Sequence, residues 1–285
     1  MKVAGLFSGG KDSVYSAYAA KNMGHELVCL ITIVSENKES YMFHTPSIEK
    51  TKKQAEVMEL PLIYERTKGE KEIELEDLEE GIKKAVERYN VEGIVTGAIK
   101  SIYQASRIQK ICDRLKLKFI NPLWGKSEFY YLRELIENGF RVILTGVFAY
   151  PFDKSWLGRE INKKFIEDIK PLYEKYKIHP AGEGGEFETF VLDGPRGFFK
   201  KPLKITDKKI ISTGIIFRPS ELHFAFSPMT ERALVKRLDN HLSLLKNDPD
   251  SEYYKILHYW FDPPEKHRIP HYVWWMLGFL LLLLL

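Results

Sequence analysis

Six consecutive residues near the start of the chain, Ser8-Gly9-Gly10-Lys11-Asp12-Ser13, have the types that phosphate chemistry needs. The two glycines let the backbone approach an anion with no Cβ in the way, Lys11 supplies a point charge, and Ser8 and Ser13 supply hydroxyls. Asp12 adds a carboxylate able to take a metal. An apolar run at 3–8 precedes these residues and a helical pattern through Val14, Ala17 and Tyr18 follows them. At such a strand-to-helix handover, backbone N–H groups and the helix dipole converge on one anion. Gly5-x4-Gly10-Lys11 nearly spells the loop of kinases and GTPases, but Asp12 stands where that loop needs Ser or Thr for magnesium. Phosphate binding is therefore expected without γ-phosphoryl transfer. A plain tight turn capped by Asp12 or Ser13 is the bland alternative, and the topological position tells against it.

Two further groups could do chemistry. Lys100, Gln104 and Arg107 fall at i, i+4 and i+7, one stripe of a helix just past a strand's carboxyl end, where α/β proteins bind ligands. The stripe either holds phosphate or forms a solvated face opposite Ala105, Ile108, Cys112 and Leu115. Glu183, Glu186 and Glu188 crowd a Gly-rich loop, where like charges repel unless a cation, a metal or hydrogen-bond donors compensate. Cys29 and Cys112 are the only cysteines; they form no CxxC pair, zinc spacing or disulfide framework, which suits a reducing compartment.

The elements that must position these groups alternate. Strands are expected at 3–8, 27–34, 62–66, 91–97, 118–121 and 141–149, with helices after the glycine loop and at 46–60, 71–89, 101–115 and 126–137. That rhythm predicts an α/β fold, a mostly parallel sheet with helices on both faces, over 1–150. From about 151 it changes to a helix at 159–177, the acidic loop at 181–188 and short strands out to 217, a smaller region. Residues 218–285 form a third region, expected to be helical at 228–246 and 251–261, with no link to the chemistry.

With 285 residues, 44% hydrophobic and 29% charged, the composition is that of a globular protein and excludes a disordered one. No internal repeat supports a solenoid. A net charge of +4 is too mild to argue for nucleic acid as a partner. The N-terminal residues leave no room for a secretion signal, so a cytoplasmic protein is expected. The last 14 residues, 272–285, are all apolar, aromatic or Gly, short of the ~20 needed to cross a bilayer. A truncated tail anchor, an interface-lying or partner-binding segment, and an altered reading frame all remain open for them.

The hexapeptide 8–13 resembles the PP-loop of the N-type ATP pyrophosphatases, which cleave ATP between the α- and β-phosphates to adenylate a substrate. Gly97-Ala98-Ile99-Lys100-Ser101-Ile102-Tyr103-Gln104-Ala105-Ser106-Arg107, then Asn121-Pro122-Leu123-Trp124, resembles the diphthine–ammonia ligase family within that superfamily. So does Gly182-Glu183-Gly184-Gly185-Glu186-Phe187-Glu188-Thr189-Phe190-Val191-Leu192-Asp193-Gly194-Pro195, more specifically. The resemblance covers about 1–217.

It implies a HUP-like fold of the adenine nucleotide α-hydrolase kind, and an AMP-forming amide ligase that adenylates the carboxylate of diphthine on translation elongation factor 2 and transfers ammonia to it. ATP, Mg2+, free ammonium and the modified factor are the implied cofactors and partners, with no direct nucleic acid and oligomerisation left open. Ser8, Gly9, Gly10, Lys11, Asp12, Ser13 and Gly97 would bind ATP, with Lys11, Asp12, Lys100, Gln104 and Arg107 catalytic and Asp12 the metal ligand. His44, Ser101, Tyr103, Trp124, Glu183, Gly184, Gly185, Glu186, Phe187, Glu188 and Thr189 would bind substrate. The trimethylammonium group of diphthine suits carboxylates beside an aromatic face such as Phe187, Tyr103 or Trp124. A PP-loop enzyme modifying tRNA by adenylation or thiolation, and a nonenzymatic adenine-nucleotide sensor, are the alternatives; paired cysteines or a basic appendage would favour the first, and neither is visible.

Overall fold

A computed structural model of the chain describes residues 1–36, 50–69 and 74–205, all within the unit Met1–Arg237. The expectations for His44, for the strand before 217, for the helices of 218–285 and for the apolar 272–285 fall outside the described residues.

Five strands form a parallel sheet in the order β3-β2-β1-β4-β5: β1 (Lys2–Leu6), β2 (Glu26–Ser35), β3 (Leu62–Thr67), β4 (Gly93–Val95) and β5 (Lys118–Ile120). β2 is buried without a break from Cys29 to Val34, as a strand covered on both faces must be. Neighbouring residues of β1 feed opposite sides: Val3 joins the core with Val14 and Ala17 of α1 (Lys11–Asn22), and Ala4 joins Leu78, Ile82 and Ala85 of α3 (Glu74–Tyr89). α2 (Thr51–Met58) packs on the α1 side, and α4 (Ile102–Leu115) packs beside α3. The chain runs outward from β1 to β3 and then crosses back to β4 on the other side of β1. The carboxyl ends of β1 and β4 therefore flank the switch point, where open α/β sheets bind ligands.

The strand at 141–149 does not extend this sheet. β6 (Arg141–Val147) pairs antiparallel with β7 (Phe187–Asp193), matching Val147 with Phe187 and Val142 with Val191. Its burial alternates, which suits a strand covered on one face; the apolar but half-exposed Ile143 hid that alternation in the sequence. The helix expected over 159–177 begins later, as α6 (Lys163–Tyr176), because Asn162 caps it by accepting the Phe165 N–H at 3.0 Å. Residues 159–161 instead run along β6, with the Ile161 N–H donating to Val142 O at 2.8 Å. Between β5 and β6 lies α5 (Glu128–Glu137), which packs with α6 on the α1 side of the sheet.

Candidate active site

The phosphate loop is set from both sides. Below it, β1 is tied to β2 up to the last residue before the loop: the Phe7 N–H donates to Ile31 O at 2.8 Å, and the buried Thr32 hydroxyl donates to Phe7 O at 2.7 Å. Gly9 then takes φ 77°, a left-handed conformation that few side chains adopt. Its carbonyl accepts from the Val191 N–H at 3.1 Å and from the Gln54 side-chain amide at 2.9 Å. Gln54 on α2 is fully buried and donates also to Val191 O at 2.8 Å, so one side chain clamps the loop to β7. The Lys11 N–H donates to the Thr189 hydroxyl at 3.1 Å, and the Ser13 hydroxyl donates to Gly10 O at 3.0 Å. Lys11 is itself buried, 3% exposed, with Nζ 2.8 Å from Asp12 Oδ2.

Gly97, just past β4, comes so near the start of α1 that a Cβ there would stand 2.6–2.8 Å from Asp12 C, Asp12 O and Ser13 N. Backbone meets backbone at this point, and only glycine fits. Three residues on, the Lys100 ammonium pairs with the Glu128 carboxylate at the start of α5, and Ser101 caps α4 by accepting the Gln104 N–H at 3.4 Å. The stripe divides here: Arg107 turns back onto the Tyr103 ring, 3.5 Å from its centroid. Trp124 is 48% exposed, on a loop that the Gly125 N–H ties to Ile99 O at 2.9 Å.

The acidic loop is more ordered than its charge suggests. Glu186 is fully buried, and its Oε1 accepts the His179 N–H at 2.7 Å. Gly182 and Gly185 take positive φ, and a Cβ on Gly184 would lie 2.5–2.8 Å from the Glu186 carboxylate, so these glycines fold the loop around that side chain. His179 holds the loop as well, with Nδ1 accepting the Ala181 and Glu183 N–H groups at 3.3 Å. That leaves its proton on Nε2, which lies 3.3 Å from Glu128 Oε1. Glu128 thus receives His179 from one side and Lys100 from the other, together with a backbone N–H, and its carboxyl is held well below the usual carboxylate range despite partial burial. Phe187 is 3% exposed and packs edge-on against Phe152 and Phe165, while Glu188 lies opposite Gly146 in the two-stranded sheet and Thr189 serves the phosphate loop.

The structure therefore brings 8–13, Gly97, Lys100 and the acidic loop to one end of the parallel sheet. Gln54, Glu128, Tyr131 and His179 belong with them and carried no signal strong enough to single them out. Glu128 and Tyr131 are i and i+3 on one helix, and His179 sits just ahead of the acidic loop, which is as much as the sequence offered. Cys29 and Cys112 are fully buried in the core, and burial pushes both thiols up to about 12, so neither is a nucleophile. A groove of about 520 Å³ beside Lys21, His25, Met58 and Phe198 opens at the other end of α1, remote from this chemistry. Among the described residues no group of three or more His, Cys, Asp or Glu is placed to hold a metal, and no helix is long and apolar enough to cross a membrane.

Comparison with known proteins agrees with the geometry. The family model described as the diphthamide synthase N-terminal domain matches residues 1–119, and that described as the C-terminal domain matches 127–215. A Schizosaccharomyces pombe protein named diphthine–ammonia ligase is 34% identical over 227 residues; the match takes in 74% of this chain and 37% of that longer protein. A Rattus norvegicus protein of the same name is also 34% identical, over 77% of this chain and 88% of its own length. A solved structure described as a predicted subunit of tRNA methyltransferase from Methanocaldococcus jannaschii covers 71% of this chain and 100% of its own at 21% identity, with a TM-score of 0.38, too low to argue from. On the family models and the relatives together, the chain belongs to the diphthine–ammonia ligase family.

Proposed function

We propose that the chain is an ATP-dependent, AMP-forming amide ligase that converts diphthine on translation elongation factor 2 to diphthamide, acting in the cytoplasm where translation factors work. The observation that carries this reading is the clamp between β7 and the phosphate loop: Thr189 and Val191, from the family's acidic signature, hydrogen-bond directly to Lys11 and Gly9. Nucleotide loop and acidic loop are therefore halves of one site.

A carboxylate is a poor acyl donor until its oxygen becomes part of a good leaving group. The start of α1 and the buried Lys11 suit the departing pyrophosphate, because helix N–H groups and a desolvated ammonium favour that charge. We place the α-phosphate over the carboxyl end of β4, near Lys100, because Gly97 there lies directly against the backbone of Asp12 and Ser13. Asp12 is the carboxylate within the loop itself, and its Oδ2 is occupied by Lys11 at 2.8 Å. The donors present do not fit a metal held by the protein alone; Mg2+ would enter on the phosphates of ATP, as it commonly does. Of the aromatic faces expected to receive the trimethylammonium group, Phe187 is closed into the core and Tyr103 carries Arg107. The exposed indole of Trp124 and the carboxylate of Glu183 are our choice for that contact.

The test is to supply the chain with ATP, magnesium and ammonium, and to compare elongation factor 2 carrying diphthine with the unmodified factor. AMP and pyrophosphate should form only with the diphthine factor, and the factor should show the mass change of OH becoming NH2. Release prompted by tRNA instead would sink the reading.

A further inference from the structure

One carboxylate oxygen at the start of α5 faces two partners. Glu128 Oε1 accepts from the Lys100 ammonium, which comes from the turn after β4, and stands 3.3 Å from Nε2 of His179, which comes from the segment before the acidic loop. The two contacts are unequal. The ammonium is hydrogen-bonded, whereas His179 Nε2 is buried and lacks a hydrogen-bond partner, so its contact with Glu128 is close but not aligned. The rest of His179 is fixed: its backbone N–H donates to Glu186 Oε1 at 2.7 Å, and its Nδ1 accepts the Ala181 and Glu183 N–H groups at 3.3 Å. With Nδ1 so used, Nε2 carries the proton, and a buried donor waits at the edge of bonding distance from an oxygen that another donor holds. Buried polar atoms without partners are rare in native proteins, and this one has its acceptor in front of it.

Exposure decides which partner can leave. The Lys100 side chain is 48% exposed on a flexible stem, whereas those of Glu128 and His179 are 19% and 16% exposed and set in their elements. Lys100 also lies three residues past Gly97, beside the place assigned above to the α-phosphate. A phosphate arriving there draws the ammonium towards it, and removing the cation from a largely enclosed carboxylate is unfavourable unless another donor replaces it. His179 is that donor: a small turn of the carboxylate aligns Oε1 with the waiting Nε2–H. We propose that Glu128 and His179 are positioning residues that hand Lys100 to the α-phosphate of ATP, an inference that rests on the ligase reading above. Glu128 holds the ammonium before nucleotide binds, and turns to His179 when nucleotide takes it.

Only hydrogen bonds are exchanged in this hand-off, and no proton changes owner. Its consequence is a second tie between the halves of the site, separate from the clamp of β7 on the phosphate loop. Because the atoms that fix His179 belong to the acidic loop, Lys100 is released to ATP with least resistance where that loop is folded.

The two ring nitrogens of His179 can be removed one at a time in the full chain. His179→Asn keeps an acceptor where Nδ1 stands and lacks the reach of Nε2, whereas His179→Gln places an amide N–H near the position of Nε2 and loses the acceptor. Binding of ATP with magnesium, in the absence of ammonium and factor, is read by titration calorimetry. His179→Asn should weaken ATP about tenfold, the loss of one hydrogen bond to a charged group, and His179→Gln should restore most of that affinity. In a Glu128→Gln background, where no charge is left uncovered, His179→Asn should weaken ATP no further, a coupling that a merely structural histidine would not show. Glu128→Gln by itself should bind ATP at least as well as wild type, because Lys100 then has no carboxylate to leave; weaker binding would overturn the hand-off whatever the histidine variants do to folding. The opposite order, with His179→Gln impaired and His179→Asn indifferent, would also overturn it and make His179 a prop of the acidic loop. A wild-type chain that binds no ATP would overturn the ligase reading and the hand-off together, whereas wild-type binding beside an indifferent His179→Asn defeats the hand-off alone.

Discussion

At the scale of single residues, the site depends on contacts too close to relax. Gly97→Ala would force a Cβ into the backbone of Asp12 and Ser13 at 2.6–2.8 Å, where no side-chain rotation can relieve it. The phosphate loop must shift, and we expect ATP-dependent AMP formation to fall about 100-fold or more, as misplacement of about 1 Å commonly does; steady-state kinetics on the purified variant would show it. Gln54→Ala removes two buried hydrogen bonds that lash the loop to β7. It should cost about 2 kcal/mol in urea unfolding and raise the KM for ATP. The loop at 8–13 was legible in the sequence as a strand-to-helix handover because its residues are consecutive and sit between an apolar run and a helical pattern. Gln54 was not, because a glutamine on a helix looks solvated until the fold closes over it. Glu186 was legible only as charge: burial and the His179 N–H turn a residue read as a substrate contact into part of the loop's own framework.

At the scale of elements, α5 is the part whose importance the sequence concealed. Its first residue, Glu128, gathers Lys100 from the turn after β4 and His179 from the segment before the acidic loop. Because the folded-state pKa of Glu128 is depressed, the stabilisation is complete above the ordinary carboxylate value near ~4.3 and is lost as pH falls through the lower folded value. Glu128→Gln should therefore melt below wild type at pH 7 and converge with it in strong acid. A deficit that stays constant with pH, measured by calorimetry, would show that the Lys100 ion pair and the His179 contact contribute nothing. Helix boundaries were read well where capping residues mark them and poorly at 159–162, where extended backbone beside β6 looks helical by composition. β6 was placed in the wrong sheet because three apolar residues in a row, Val142, Ile143 and Leu144, mimic a doubly buried strand.

At the scale of the molecule, strand-helix alternation predicted the parallel sheet and the switch point. Periodicity carries no information on which distant strand clasps which loop. The family models end at residue 215, near the limit of the resemblance, so a chain ending at 217 should retain ATP-dependent amide formation within about a few-fold of the full chain. Assay of the two side by side checks this, and abolition would assign the remaining residues a part in catalysis. Native protein treated with iodoacetamide should take up no label, and unfolded protein should label both cysteines, since each thiol is buried and held up to about 12.

The clasp between Lys11 and Thr189 joins residues 178 positions apart. A ribosome making this chain releases the phosphate loop early, but its clamps arrive only after nearly all of the second region has been synthesised. Until then the nascent chain has the residues for grasping ATP without the geometry, so a prematurely terminated product would not squander nucleotide. Competence for catalysis arrives as a late event of biosynthesis, once β7, which carries part of the acidic signature, has emerged.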